Sequence, residues 1–216
     1  MKGIFRTGCL WILILLMLAG CAAEAPEQQQ PTTPPQIQGE LNCLEISRFS
    51  GAFVEDGSDE KVKDVAAILV SNDTGKFLDL ATVTYTVGER TATFKITGLP
   101  AGGQVWVLEK DRMVISKGDE LVYQDCQTTF NPNAMVTTEA LEVSRQGNVL
   151  TVRNVTDVEL KNVCVYYKNR MEDGTFLGGI TYLMNFGDLS AGASVQRSSG
   201  HLGDSAQIVK YGYQVA

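Results

Sequence analysis

The side chains able to do chemistry gather in a few places along the chain. The only histidine, His201, lies close to Ser198, Ser199 and Asp204, the residue types of a hydrolytic triad. Such a triad needs a nucleophile within hydrogen-bond reach of a base that a third group orients. Here all four residues share one turn-rich stretch, and no Gly-x-Ser-x-Gly elbow lifts a serine clear of its surroundings. The expectation is a surface-loop histidine and no catalytic residue. Asp56, Asp59 and Glu60 in Glu55-Asp56-Gly57-Ser58-Asp59-Glu60 offer the oxygen ligands that a calcium ion takes. Their spacing is not that of an EF-hand loop, so the segment reads as a solvated acidic turn with neither metal nor cofactor. Trp106, in Gln104-Val105-Trp106-Val107-Leu108, points away from Val105 and Val107. It is either an exposed ring that stacks on a sugar or a core residue beside Leu108.

The N-terminus carries a different chemistry. Lys2 and Arg6 precede an apolar run from Cys9 to Leu18. That run is shorter than the roughly 20 residues a helix needs to cross a bilayer, and it has the length and flanks of a secretory signal. It ends in Leu18-Ala19-Gly20-Cys21, which resembles the lipobox of bacterial lipoproteins. The resemblance implies a signal peptide over residues 1–20, transfer of diacylglycerol to the Cys21 sulfur, and cleavage between Gly20 and Cys21. The plainer alternative is an ordinary signal peptide with a chance cysteine. Acyl chains such as palmitate anchor a protein strongly when two or more are present, so the expected location is the extracytoplasmic face of the cell membrane. Ala22, where an aspartate would favour inner-membrane retention in a two-membrane cell, does not direct the protein there.

Residues 21–39 continue as a spacer. Pro26, Pro31, Pro34 and Pro35 alternate with Gln28, Gln29 and Gln30, and almost nothing there is apolar. Such a composition stays extended or disordered. The whole chain carries a net charge of −7; loss of Lys2 and Arg6 would take it to about −9, which argues against nucleic acid and against anionic headgroups as partners. The expected partners are the membrane, through the lipid, and an unidentified protein or envelope glycan.

Three cysteines follow Cys21: Cys43, Cys126 and Cys164. An exported chain can form disulfides. Cys43 and Cys126 sit near the two ends of one repeat, and a bond between them would close a loop of about 80 residues, contributing roughly 4 kcal/mol.

The elements that position these groups emerge when the chain is compared with itself. Leu44-Glu45-Ile46-Ser47-Arg48 recurs as Leu141-Glu142-Val143-Ser144-Arg145. Val70-Ser71-Asn72 recurs as Val152-Arg153-Asn154, Val83-Thr84-Tyr85 as Val165-Tyr166-Tyr167, and Leu99-Pro100-Ala101-Gly102 as Leu189-Ser190-Ala191-Gly192. Thr82 to Val87 alternates polar and apolar strictly, as a half-buried strand does, and Gly and Pro punctuate the chain between such runs. The reading is an all-β protein of two tandem immunoglobulin-like β-sandwiches, over residues 40–132 and 137–216. The exception is Lys61 to Ala67, which reads as one short helical turn.

The second copy has Val152-Arg153-Asn154-Val155-Thr156, Leu160-Lys161-Asn162-Val163, Asp173-Gly174-Thr175-Phe176-Leu177 and Leu189-Ser190-Ala191-Gly192. This resembles the FxLYD-type domains of bacterial surface proteins, small immunoglobulin-like sandwiches often found on lipoproteins. The resemblance covers most of residues 148–216 and is weaker over the first copy, where Val87-Gly88-Glu89 replaces the longer hairpin. It implies a fold and no particular chemistry.

Alternation also places Cys164, Tyr166 and Lys168 on the outer face of their strand, opposite Val163, Val165 and Tyr167. Either that face is semi-exposed, or the neighbouring copy or a partner covers it. The functional expectation is a non-catalytic binding or interaction module displayed at the cell envelope, not an enzyme; a carbohydrate-binding accessory lipoprotein is the alternative.

Overall fold

The computed structural model describes residues 41–216. The signal peptide, Cys21 and the spacer expected over residues 1–39 lie outside them. No helix among the described residues is long and apolar enough to cross a membrane.

The alternating runs form strands. The first copy contributes β1 (Asn42–Ala52), β2 (Lys61–Ser71), β3 (Phe77–Val87), β4 (Arg90–Leu99), β5 (Gln104–Leu108) and β6 (Val122–Asn131). The second contributes β7 (Leu141–Gln146), β8 (Val149–Asn154), β9 (Leu160–Lys168), β10 (Phe176–Leu177), β11 (Tyr182–Leu189), β12 (Ser194–Ser198) and β13 (Gln207–Val215). Four sheets result, ordered β1-β2-β5-β10, β4-β3-β6, β12-β8-β7 and β11-β9-β13. Without β10, the two copies have the same topology. First, second and fifth strands make one sheet, and fourth, third and sixth make the other. The protein is therefore all-β and built as two β-sandwiches. The short strand β10 belongs by sequence to the hairpin between β9 and β11, yet it pairs in parallel with β5, Phe176 opposite Val105 and Leu177 opposite Trp106.

Two sequence expectations change here. Lys61 to Ala67 is not a helical turn but the first part of β2. Its backbone groups find partners on both sides, with β1 along one edge and β5 and Val114 along the other. A left-handed residue at Asp64 and a register shift between Phe49 and Gly51 break the strand's alternation, which hides its period from the sequence. The second change concerns the first repeat match. Leu141 pairs with Asn154 on β8, whereas Asn42 pairs with Ser71 on β2, so Leu41 stands opposite Asn72. Leu41 is thus the counterpart of Leu141, and both are buried, while Leu44 is 38% exposed. The matched five-residue segments are therefore offset in their sheets, by three residues at Leu44 and, past the register shift between Cys43 and Glu45, by two at Arg48.

The other three matches superpose in chemistry as well as order. Asn72 Nδ2 donates to the carbonyls of Lys76, Leu99 and Pro100, and its Oδ1 accepts from the backbone N–H and hydroxyl of Thr74. Asn154 Nδ2 donates to Val158, Leu189 and Ser190, and its Oδ1 accepts from the same two groups of Thr156. Each asparagine ties the end of one sheet to the turn that leaves the other.

The second sandwich has a core of its own around Leu150, Val152, Val163, Val165, Tyr167, Phe186 and Leu189. The first core, around Ile68, Val83, Tyr85, Phe94 and Val105, also takes in Phe176 and Val209 from the second copy. A third, smaller cluster joins Phe53, Val65, Ala67 and Leu108, and Trp106 packs against it.

Candidate functional site

The residues singled out from the sequence fall mostly on the seam between the sandwiches. His201 does not address a serine with its ring. Its backbone N–H donates to Ser199 Oγ, and that hydroxyl accepts from Tyr167. The imidazole stacks on Tyr182 at 5.1 Å between centroids, and Nδ1 lies 3.9 Å from Asp59 Oδ2 of the first copy. Asp204 instead pairs with Arg145 at 3.5 Å. Ser198, Ser199, His201 and Asp204 therefore form no relay.

The acidic turn is only partly solvated. Arg112 spans Asp56 (2.8 Å) and Glu60 (2.5 Å), and its guanidinium lies over the Phe53 ring. Glu55 turns inward instead. Its carboxylate accepts from the backbone N–H groups of Leu108 and Gly179, so one side chain of the first copy holds the hairpin of the second. Burial pushes the Glu55 carboxyl above the usual range, and the bonds from Gly179 and Leu108 and the charge of Lys168 pull it back.

Lys168 is the cationic half of this seam. It is fully buried, and its Nζ donates to three backbone carbonyls, Thr97 of β4, Gly179 and Ile180. Three acceptors match the three N–H groups of an ammonium. Burial nevertheless holds its pKa down at about 7, with Glu55 acting upward. The close approach requires glycine at 179, where a Cβ would fall 1.8 Å from the Lys95 carbonyl oxygen. Tyr166 packs against the first core, and Lys210 reaches Asp79 at 3.0 Å. The outer face of β9 is thus covered by the neighbouring copy at Lys168 and partly at Tyr166, while Cys164 is half-buried and Asn162 exposed.

Cys43 and Cys126, the candidate disulfide pair, are free thiols in this structure, as is Cys164. The two lie on facing sheets close to the buried Tyr85 hydroxyl. Burial pushes the Cys43 thiol up and that of Cys126 up to about 11, which leaves little thiolate, the species that undergoes disulfide exchange. Cys164 is half-buried, its thiol 3.5 Å from the Gly212 carbonyl. Trp106 is half-buried and flanked by β10 in the sheet, its own carbonyl accepting from Gly178.

A cleft of about 510 Å³ opens between the edge strands β7 and β13 of the second sandwich. Val143, Leu150, Tyr167, Leu202, Ala206 and Ile208 form its apolar lining, and Ser144, Arg145, Arg170, Asp204, Ser205 and Gln207 its polar one. In the first copy the corresponding position is filled, and register explains why. Arg145 stands opposite Leu150 as Ile46 stands opposite Ile68. Ala206 precedes Gln207, the partner of Lys168, as Leu121 precedes Val122, the partner of Thr86. Ile208 faces Tyr167 as Tyr123 faces Tyr85. Ile46, Leu121 and Tyr123 all pack into the first core. Their counterparts Arg145, Ala206 and Ile208 are smaller or polar, and the same place stays open. Arg145 straps the cleft, donating to the Gly147 and Ala206 carbonyls. Arg170 is exposed and lies over the Phe176 ring at 5.2 Å; no carboxylate among the described residues pairs with it. The sequence reading missed this cleft because its repeat alignment set Arg145 against Arg48 instead of Ile46.

No family model matches the chain, and no curated protein matches it. Among solved structures it is similar to the C-terminal globular domain of an oligosaccharyltransferase from Pyrococcus abyssi, with 13% identity and a TM-score of 0.19 over 82% of this chain. The alignment spans 46% of that chain, and at such identity and score the likeness carries no functional argument.

Proposed function

We propose that the chain is a lipid-anchored, non-catalytic binding module at the extracytoplasmic face of the cell membrane, built from FxLYD-like sandwiches. Cys21 holds the lipid, residues 22–39 act as spacer, and the paired sandwiches present the cleft between β7 and β13 to an envelope protein or glycan. The supporting observation is the contrast between the copies: the same position is packed with Ile46, Leu121 and Tyr123 in one and left open in the other. Random loss of packing would cost stability without return, whereas a preformed concave site with an apolar base and few polar groups is what ligand binding uses. The alternative, a carbohydrate-binding accessory protein, rested on an exposed Trp106, and that ring is half-buried against Phe53, Val65, Ala67 and Leu108.

Two measurements test the reading. Labelling with an alkyne fatty acid should mark the full-length chain and not its Cys21→Ala variant; undiminished label on the variant refutes the anchor. Saturable binding of the purified chain to envelope preparations should be lost when Ala206→Leu restores the filling residue of the first copy. Binding indifferent to that substitution refutes the cleft as the site.

A further inference from the structure

Resting on the reading of the cleft as a binding site, we infer that its ligand is an extended peptide segment bearing a carboxylate, which adds as a strand along the free edge of β7 and sets its acid against Arg170.

The edge supplies the first argument. β7 ends its sheet, which runs β12-β8-β7. A two-residue turn, Gly147-Asn148, joins it to β8 with Gln146 opposite Val149. In such a hairpin the closing pair exchanges both backbone bonds, and pairs alternate from there between bonded and non-bonded. Gln146, Ser144 and Glu142 therefore spend their backbone groups on β8. Val143 and Arg145, opposite Val152 and Leu150, direct theirs outward. Both residues line the cleft, and their outward N–H and C=O groups bond to no described residue. Two donors and two acceptors in strand spacing at the mouth of a cleft are what an extended backbone satisfies.

Charge supplies the second. Arg145 is occupied by Asp204 and by two carbonyls, but the Arg170 guanidinium, which lies over the Phe176 ring, has no carboxylate partner among the described residues. A guanidinium on a partly apolar wall pairs best with a carboxylate, in a charge-assisted fork. The apolar base of Leu150, Leu202 and Ile208 accepts the alternate, inward side chains of the added strand.

This chain itself demonstrates the mode of pairing. At the opposite side of the first sandwich, Phe176-Leu177 adds to the free edge of β5, burying Phe176 in the core beyond it. The equivalent edge in the second copy, β12, is almost wholly exposed. β7 combines a free edge with an adjoining cavity, and β12 does not.

Fluorescence anisotropy on the full-length chain, purified from membranes in detergent, tests this. The probes are labelled hexapeptides of alternating valine and threonine with capped ends and aspartate at each position in turn, with asparagine versions as controls. At least one aspartate peptide should bind about ten-fold more tightly than its asparagine partner, the size of one charge-assisted pair. Arg170→Met should erase that difference without moving the melting temperature. Ala206→Leu should abolish binding, and N-methylation of alternate peptide nitrogens should weaken it. Equal binding of aspartate and asparagine peptides, or of methylated and unmethylated ones, overturns the inference. If no peptide binds but an envelope component binds in a manner sensitive to Ala206→Leu, the peptide assignment falls and the cleft stands. If envelope binding ignores Ala206→Leu, the cleft falls too.

Discussion

Asn154→Ala should destabilise the protein by about 3–5 kcal/mol, and Asn72→Ala by a similar amount. Both side chains are fully buried, and each makes five hydrogen bonds that close the turn between facing sheets. A typical net contribution is about 0.5–1.5 kcal/mol per bond, and more is lost when a buried carbonyl is left without a donor. The sum is large against a total stability of about 5–15 kcal/mol. Aspartate sharpens the test. Asn154→Asp would put an oxygen where Nδ2 now donates to the Val158, Leu189 and Ser190 carbonyls. At neutral pH it should cost at least as much as alanine. The new carboxyl would have a folded pKa raised above its unfolded value, so the variant should be most stable below about pH 4 and lose stability as pH rises through the folded pKa. Urea unfolding of the mature chain, across pH for the aspartate variant, measures all three. A loss under about 1 kcal/mol for either alanine variant, or an aspartate variant more stable at pH 7 than at pH 4, would refute the claim that these amides bind the sheets together.

Further outcomes follow from the seam. Lys168→Met leaves Glu55 without its cation and three carbonyls without a donor, and should lower stability by about 3–5 kcal/mol in thermal or urea melts; an unchanged midpoint would dismiss the seam as a structural joint. Because burial holds Lys168 at about 7, below its unfolded value of 10.5, the unfolded chain binds more protons between those limits. The lysine's contribution should therefore make stability rise with pH above 7, and Lys168→Met should flatten that slope; a slope that survives the substitution has another source. Residues 137–216 expressed alone should keep β-type circular dichroism through their own core, yet melt at lower temperature than the full chain, because Phe176, Val209 and Lys168 lose their cover. Equal melting temperatures would show that the seam contributes nothing.

The repeat's sheets were legible because alternation is a local property. Thr82 to Val87 and Val163 to Tyr167 declare which side chains face their own core, and the buried valines and tyrosines confirm it. Turn residues at Pro100 to Gly103 and Ser190 to Gly192 marked where strands end. β1 and β2 were less readable because bulges at Cys43/Glu45 and Phe49/Gly51 shift the period, so an equal run of letters no longer means an equal place in space. The cleft was hidden because the matching letters of Leu44–Arg48 and Leu141–Arg145 do not occupy equal places in their sheets, which set Arg145 against Arg48 instead of Ile46.

Taken alone, the sequence determined the strand class, the duplication and the net acidic charge. Only tertiary structure decided what lies beyond each sheet. Period-two alternation tells inside from outside for one sheet and is silent on whether the outside meets water. That depends on a contact between distant segments, here Phe176 on β5, Gly179 beside Thr97, and Glu55 on Gly179. These contacts turn Lys168 and Tyr166 from outer-face residues into the joint between two sandwiches.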